Sequence, residues 1–301
     1  MSKWKRFRQR YREAHPQTSE EPPFMMFMDS CPDDYLLPTG GTDRAHTMVA
    51  VMAFDQSKYT LLRQRIESGM GRPLQQWKQG GGKRATERYR TAFAKAFFPA
   101  VTESGCFVTA ITEYESTIRA LTRRRLDELN CGSLCTIHRD ESGERLRFPD
   151  IYYTKTDGSI RKIPAHDTDM QGGAILVWMA TLMRIAAEKF ADPKDNRRIH
   201  LVTDNIAGDD GKKGKCNRLD DLLIMLSKGR TRGRIGAGYI TTESEEWLEM
   251  IPDNIAGALN THLCHPGKQP WEHFGTLARQ GIAGTLKWHV VTKIPPAEPA
   301  G

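Results

Sequence analysis

Two apolar runs of strand character each stop at an aspartate, and a third aspartate opens a helical stretch. The first run is Phe24-Met25-Met26-Phe27-Met28-Asp29 and the second is Ile199-His200-Leu201-Val202-Thr203-Asp204. The third aspartate, Asp253, follows Pro252 and leads into Asn254-Ile255-Ala256-Gly257-Ala258-Leu259. A carboxylate at the end of a buried strand is held on rigid backbone and projects into the cleft beyond the sheet. Carboxylates that converge there form a hard-oxygen site suited to Mg²⁺ or Mn²⁺. Taken singly, each aspartate reads better as a helix N-cap or a turn residue. The set of three is the stronger signal, so Asp29, Asp204 and Asp253 are the expected catalytic, metal-holding residues.

The remaining pattern alternates strands and helices. Strands are expected over 24–29, 46–54, 106–112, 199–204 and 234–241, and helices over 56–68, 86–98, 115–129, 172–191 and 219–227. Asp157-Gly158 between Ile151-Tyr152-Tyr153 and Ile160-Arg161-Lys162-Ile163 is a strong hairpin signal. Residues 69–84 combine five glycines with Lys78, Lys83 and Arg84 and read as an exposed basic loop. They lack the Gly-Lys-Ser/Thr close of a phosphate-binding loop. This order predicts an α/β chain with a mixed sheet flanked by helices and a hairpin insertion.

The net charge of +7 is unevenly placed. Residues 1–12 carry Lys3, Lys5, Arg6, Arg8, Arg10 and Arg12 with no acid, which leaves 38 basic against 37 acidic side chains elsewhere. Trp4, Phe7 and Tyr11 recur at helical spacing within this arm. A nucleic-acid arm, a membrane-surface helix and a helix that docks on a partner protein all fit, as does a disordered tail. No run is long enough to span a bilayer, and the basic N-terminus has no apolar core of a secretory signal. The six cysteines lack the setting of a small disulfide scaffold. A cytoplasmic protein with reduced thiols is expected.

The motifs around the aspartates resemble those of the domain of unknown function 3800 family. Its opening strand usually ends Asp-Glu-Ser-Gly, where this chain has Asp29-Ser30-Cys31-Pro32. Its last helix is similar to Met250-Ile251-Pro252-Asp253-Asn254-Ile255-Ala256-Gly257-Ala258. The resemblance covers roughly 24–265 and implies an RNase H-like fold, with 1–23 as arm and linker and 266–301 as a C-terminal extension. It also implies a metal-dependent nuclease or related phosphoryl-transfer enzyme acting on DNA or RNA, in prokaryotic defence or on a mobile element. Ser30 stands where the family has Glu, so one ligand must come from elsewhere. Asp33, Asp34, Glu113, Asp209 and Asp210 are the alternatives. Should none serve, the expected protein is an inactive RNase H-like module that binds nucleic acid or a partner.

Two metal ions at about 4 Å can clamp the attacking and leaving oxygens of a phosphodiester and require no side-chain base. Lys212, Lys213, Lys215 and Arg218 beside Asp204 would then line a phosphate track, although a solvated charged loop accounts for them equally. A structural Zn²⁺ is disfavoured. Cys131-x3-Cys135-x2-His138 and His262-x-Cys264-His265 both miss the usual two-residue knuckle. No Gly-x-Ser-x-Gly elbow supports nucleophilic hydrolase chemistry.

Overall fold

The computed structural model describes residues 24–37, 40–53, 56–73, 87–129, 135–154, 160–163, 165–190, 199–204, 235–241, 250–268, 272, 275–276 and 286–291. The basic arm, the loop carrying Asp209, Asp210, Lys212, Lys213, Lys215 and Arg218, the helix expected over 219–227, Cys131 and the turn at Asp157 lie outside them.

The chain forms two compact units. One comprises Phe24–Thr117, Val202–Asp204 and Thr241–Gly301, and it contains all three aspartates. Its strands are β1 (Phe24–Leu36), β2 (Thr42–Ala53) and β3 (Phe107–Tyr114), joined by the last residues of β9 (Ile199–Asp204) and β10 (Ile235–Thr241), and by β11 (Leu286–Val291). The strand order is β10-β9-β1-β2-β3-β11. β1 and β2 are antiparallel, as are β2 and β3, whereas β11 runs parallel to β3. Helices α1 (Gln56–Met70) and α2 (Glu87–Ser104) connect β2 to β3, and α6 (Met250–Cys264) packs on β1 and β2. Met26, Phe27, Met28, Val49, Ala50, Val51, Tyr59, Leu62, Phe93, Phe97, Ile255 and Leu259 form its core. Phe27 stacks on Tyr59 with ring centroids 3.5 Å apart.

The other unit holds Ile118–Leu201 and Asn205–Ile240. Its described elements include α4 (Thr122–Glu128), β4 (Thr136–Asp140), β5 (Gly143–Phe148), β6 (Ile151–Thr154), β7 (Ile160–Ile163), β8 (His166–Asp169) and α5 (Met170–Phe190). The expected hairpin is β6 paired antiparallel with β7. In the three-stranded sheet β4-β5-β8, Leu146 and Phe148 are buried among the described side chains. Gly173 at the start of α5 lies so close to Leu146 that a Cβ there would collide with that side chain. Short helix α3 (Glu115–Ala120) follows β3 directly.

Several boundaries differ from the sequence reading. β1 continues past Asp29 to Leu36, because the segment after it pairs residue for residue with the start of β2, including Pro32 with His46. Asp29 is therefore a mid-strand residue. The helix expected to stop before Pro99 runs on to Ser104. Proline there removes one intrahelical bond, and burial of Phe97, Phe98, Ala100 and Val101 on both sides of it offsets that loss. The helix expected over 115–129 is split at Leu121 into α3 and α4. α6 begins at Met250, which makes Asp253 a first-turn residue and not the cap. The C-terminal extension supplies a sheet strand, β11, so a boundary at 265 cuts through the fold. Among the described residues, no helix is long and apolar enough to cross a membrane.

Helices α1 and α2 meet at Gly69, where an added Cβ would lie 2.7 Å from the Ala96 Cβ. Two opposed effects act on Gly69→Ala: helix propensity gains about 1 kcal/mol, and overpacking costs ~1–3 kcal/mol. The close contact is between backbone-anchored atoms, so overpacking dominates. Urea denaturation should show a lower midpoint for Gly69→Ala than for the parent protein.

Candidate functional site

Alternation along β1 puts Phe27, Asp29, Cys31, Asp33 and Tyr35 on one face. Register carries that face onto Val49, Thr47 and Ala45 of β2, and onto Ala110, Thr112 and Tyr114 of β3. Helix α6 covers this face. Asn260, fully buried, donates from Nδ2 to the Cys31 carbonyl at 3.0 Å and to the Ala45 carbonyl at 3.3 Å. Its Oδ1 accepts from Thr47 Oγ1 at 2.9 Å. At the far end of the helix, His265 Nε2 lies 3.0 Å from Asp33 Oδ2.

The helix therefore runs alongside β1 in the same chain direction, with Asp253 toward Asp29 and His265 toward Asp33. Asp253 and Asn260 are seven residues apart, close to two full turns, so they share a stripe of α6. Asn260 faces β1, and Asp253 lies on that same side. The Cys31 thiol registers both carboxylates. Burial pushes it up to about 12, and the charges of Asp253, Asp29 and Asp33 add to the rise, while its hydrogen bond with Asn260 opposes it. Cys264 is likewise pushed up to about 12 by burial, with Asp33, Cys31 and Asp34 contributing. Both thiols are thus protonated at neutral pH and unsuited to nucleophilic work.

The Asp29 carboxylate accepts a hydrogen bond from the Ser30 amide at 2.7 Å, which fixes its orientation on the strand. Asp204 ends β9, the strand beside β1 in the sheet order. Its side chain is outside the described set. Among the described residues, no group of three His, Cys, Asp or Glu side chains is close enough to hold a metal ion.

The sequence alternatives for the missing ligand separate on geometry. Glu113 pairs in register with His46, which pairs with Pro32, so its side chain belongs to the sheet face opposite Asp29. It is buried there. Glu113 is therefore not placed to share an ion with Asp29. Asp33 is on the correct face, but it is four residues along the strand, about 13 Å at the usual rise, and it is engaged by His265. Asp34 is exposed on the other face. Asp209 and Asp210 lie outside the described residues. Of the zinc half-site residues, His262 is within 3.2 Å of Glu272 and packs edge-on to Trp288. Cys264 contacts Asn260 Oδ1 at 3.9 Å. Among the described residues, Cys31, Cys106, Cys135 and Cys264 are free thiols.

Sequence reasoning missed Asn260 and His46. A buried asparagine in the middle of an apolar helix face is the signal that could have revealed Asn260, because such an amide must find partners. Comparison of the chain with protein-family models, with curated proteins and with solved structures finds no match.

On the opposite face, His46 and Glu115 are both buried, with Nε2 and Oε2 3.3 Å apart. Burial lowers the His46 pKa from its ordinary 6.5, and this outweighs the opposing effect of Glu115; Arg44 also lowers it and Asp43 raises it. The unfolded chain therefore takes up a proton that the folded chain refuses. Stability is complete above pH 6.5 and falls as the pH drops below it. His46→Gln should remove this component, which is no steeper than about 1.4 kcal/mol per pH unit. Denaturation midpoints measured between pH 7.5 and 5 should decline less in the variant than in the parent.

Proposed function

We propose that the protein is a divalent-metal-dependent nuclease, or a related phosphoryl-transfer enzyme, with an RNase H-like arrangement. The observation that carries this reading is the placing of Asp29 and Asp253 on the same side of β1, where both charges act on the Cys31 thiol. The strand order adds support, since β9, which ends in Asp204, is the neighbour of β1 in the sheet. The resemblance to the domain of unknown function 3800 family points the same way.

Oxygen ligands of this kind suit Mg²⁺ or Mn²⁺. Asp29, Asp204 and Asp253 would hold the ion, which would polarise the scissile phosphate and acidify a water molecule. The polypeptide's own part is to fix the carboxylates before metal arrives. The Ser30 amide orients Asp29, and the packing of α6 on β1 and β2 aims Asp253. Lys212, Lys213, Lys215 and Arg218 would follow the phosphate backbone, with the arm at Lys3, Lys5, Arg6, Arg8 and Arg10 as a further contact.

A second reading has its own support. Ser30 occupies the position of a family glutamate, and Glu113 belongs to the other face of the sheet. An RNase H-like module lacking one ligand would bind nucleic acid or a partner protein without cleaving anything.

Cleavage of labelled single- and double-stranded DNA and RNA in Mn²⁺ separates the two. The nuclease reading expects metal-dependent cleavage that falls by ~10²-fold or more in each of Asp29→Asn, Asp204→Asn and Asp253→Asn. Metal-independent binding with no cleavage on any substrate would establish the second reading instead. In either case, deletion of residues 1–12 should weaken nucleic-acid binding and flatten its salt dependence, because those residues hold six of the basic charges. A salt slope unchanged by the deletion would assign the arm to a partner protein or a membrane surface.

A further inference from the structure

A one-way chain of hydrogen bonds crosses the sheet and ends on Asn260. The Trp288 indole N–H on β11 can only donate, and it donates to Thr112 Oγ1 on β3 at 2.9 Å. Thr112 and Thr47 hydroxyl oxygens are 2.7 Å apart, and Thr47 donates onward to Asn260 Oδ1. With its own proton committed to Asn260, Thr47 must accept from Thr112. The Asn260 amide nitrogen then donates to two carbonyls, Cys31 on β1 and Ala45 on β2. Carbonyls only accept, so the orientation of the amide is settled by chemistry. Thr47, Thr112 and Asn260 are fully buried.

We propose that Asn260 is a positioning residue for the candidate site, its amide setting the rotation and register of α6 so that Asp253 is held beside Asp29. Only the metal-binding consequence rests on the reading of these aspartates as ligands; the placing of Asp253 stands on geometry. An apolar contact can slide or roll, whereas an amide held by a hydroxyl and two carbonyls has one satisfied orientation. Asp253 is on the same stripe two turns away, so rolling of α6 displaces it directly. Substitution of Asn260 leaves buried partners unmade, the costly side of hydrogen-bond energetics.

The separation of the Asp29 and Asp253 carboxylates reads this placement directly and needs no metal. Crystal structures of the full chain supply it for the parent and for each variant. Asn260→Ala should lengthen it by about 1–2 Å, the scale on which packed helices shift. Leu259→Ala, which removes buried apolar contact from the same helix, should leave it unchanged. Thr47→Val should lengthen it by removing one bond from the amide, and Thr47→Ser should restore it; this pair carries the test if Asn260→Ala does not fold.

A separation unchanged in Asn260→Ala, or lengthened equally in Leu259→Ala, overturns the proposal. So do carboxylates that lie far apart in the parent. A parallel Mn²⁺ titration by electron paramagnetic resonance addresses the reading beneath it. Binding lost in Asp29→Asn and weakened by about tenfold or more in Asn260→Ala, as for other residues that orient metal ligands, supports both. No Mn²⁺ binding in the parent, with the carboxylate separations as expected, removes the metal-site reading and retains the positioning role.

Discussion

The buried amide of Asn260 is the constraint on which the sheet unit depends. Apolar burial drives α6 onto β1 and β2 through Ile251, Ile255, Ala256 and Leu259, but burial is non-directional and does not select a rotation. The hydrogen bonds of Asn260 do. They also explain the two threonines, Thr47 and Thr112, at adjacent register positions beneath α6. Each would be costly to bury alone, and each is satisfied by the next member of the chain. Trp288 closes that chain, which brings the C-terminal strand into the same cooperative structure as the first one.

The two faces of the central strands carry different chemistry. One has Asp29, Cys31 and Asp33 under α6, with two thiols held protonated by burial and by carboxylates around them. The other has His46, buried opposite Glu113 of β3 and beside Glu115 at the start of α3. Since the strand period is two, a single residue step separates these environments. Glu113 illustrates the consequence. It ends a convincing strand and is rich in ligand chemistry, yet its parity assigns it to the His46 face.

Much of this organisation was legible in the chain. Apolar runs announced β1, β9 and β10, and the Asp157-Gly158 signal marked the β6–β7 hairpin. Helical periodicity located α1, α2, α5 and α6. What could not be read was governed by partners distant in sequence. β1 extends through Pro32 because the start of β2 lies opposite, and β11 is a strand because β3 offers it an edge. Strands β4, β5 and β8 are rich in polar and charged side chains, so they lack the apolar signature that marks a buried strand.

The sequence by itself determined the mixed α/β character, the apolar runs that build the sheet and the carboxylates available to a site. These depend on local periodicity and composition, which survive without knowledge of the fold. Only the tertiary structure decided which carboxylates share a face. Asp29 and Asp253 are separated by more than two hundred residues, and their common side of β1 follows from strand parity, from the helical phase between Asp253 and Asn260, and from the docking of one on the other. The same docking turned an unremarked asparagine into the residue that holds the helix in place. Parity and phase are fixed along the chain, but their alignment exists only once the amide has found its two carbonyls.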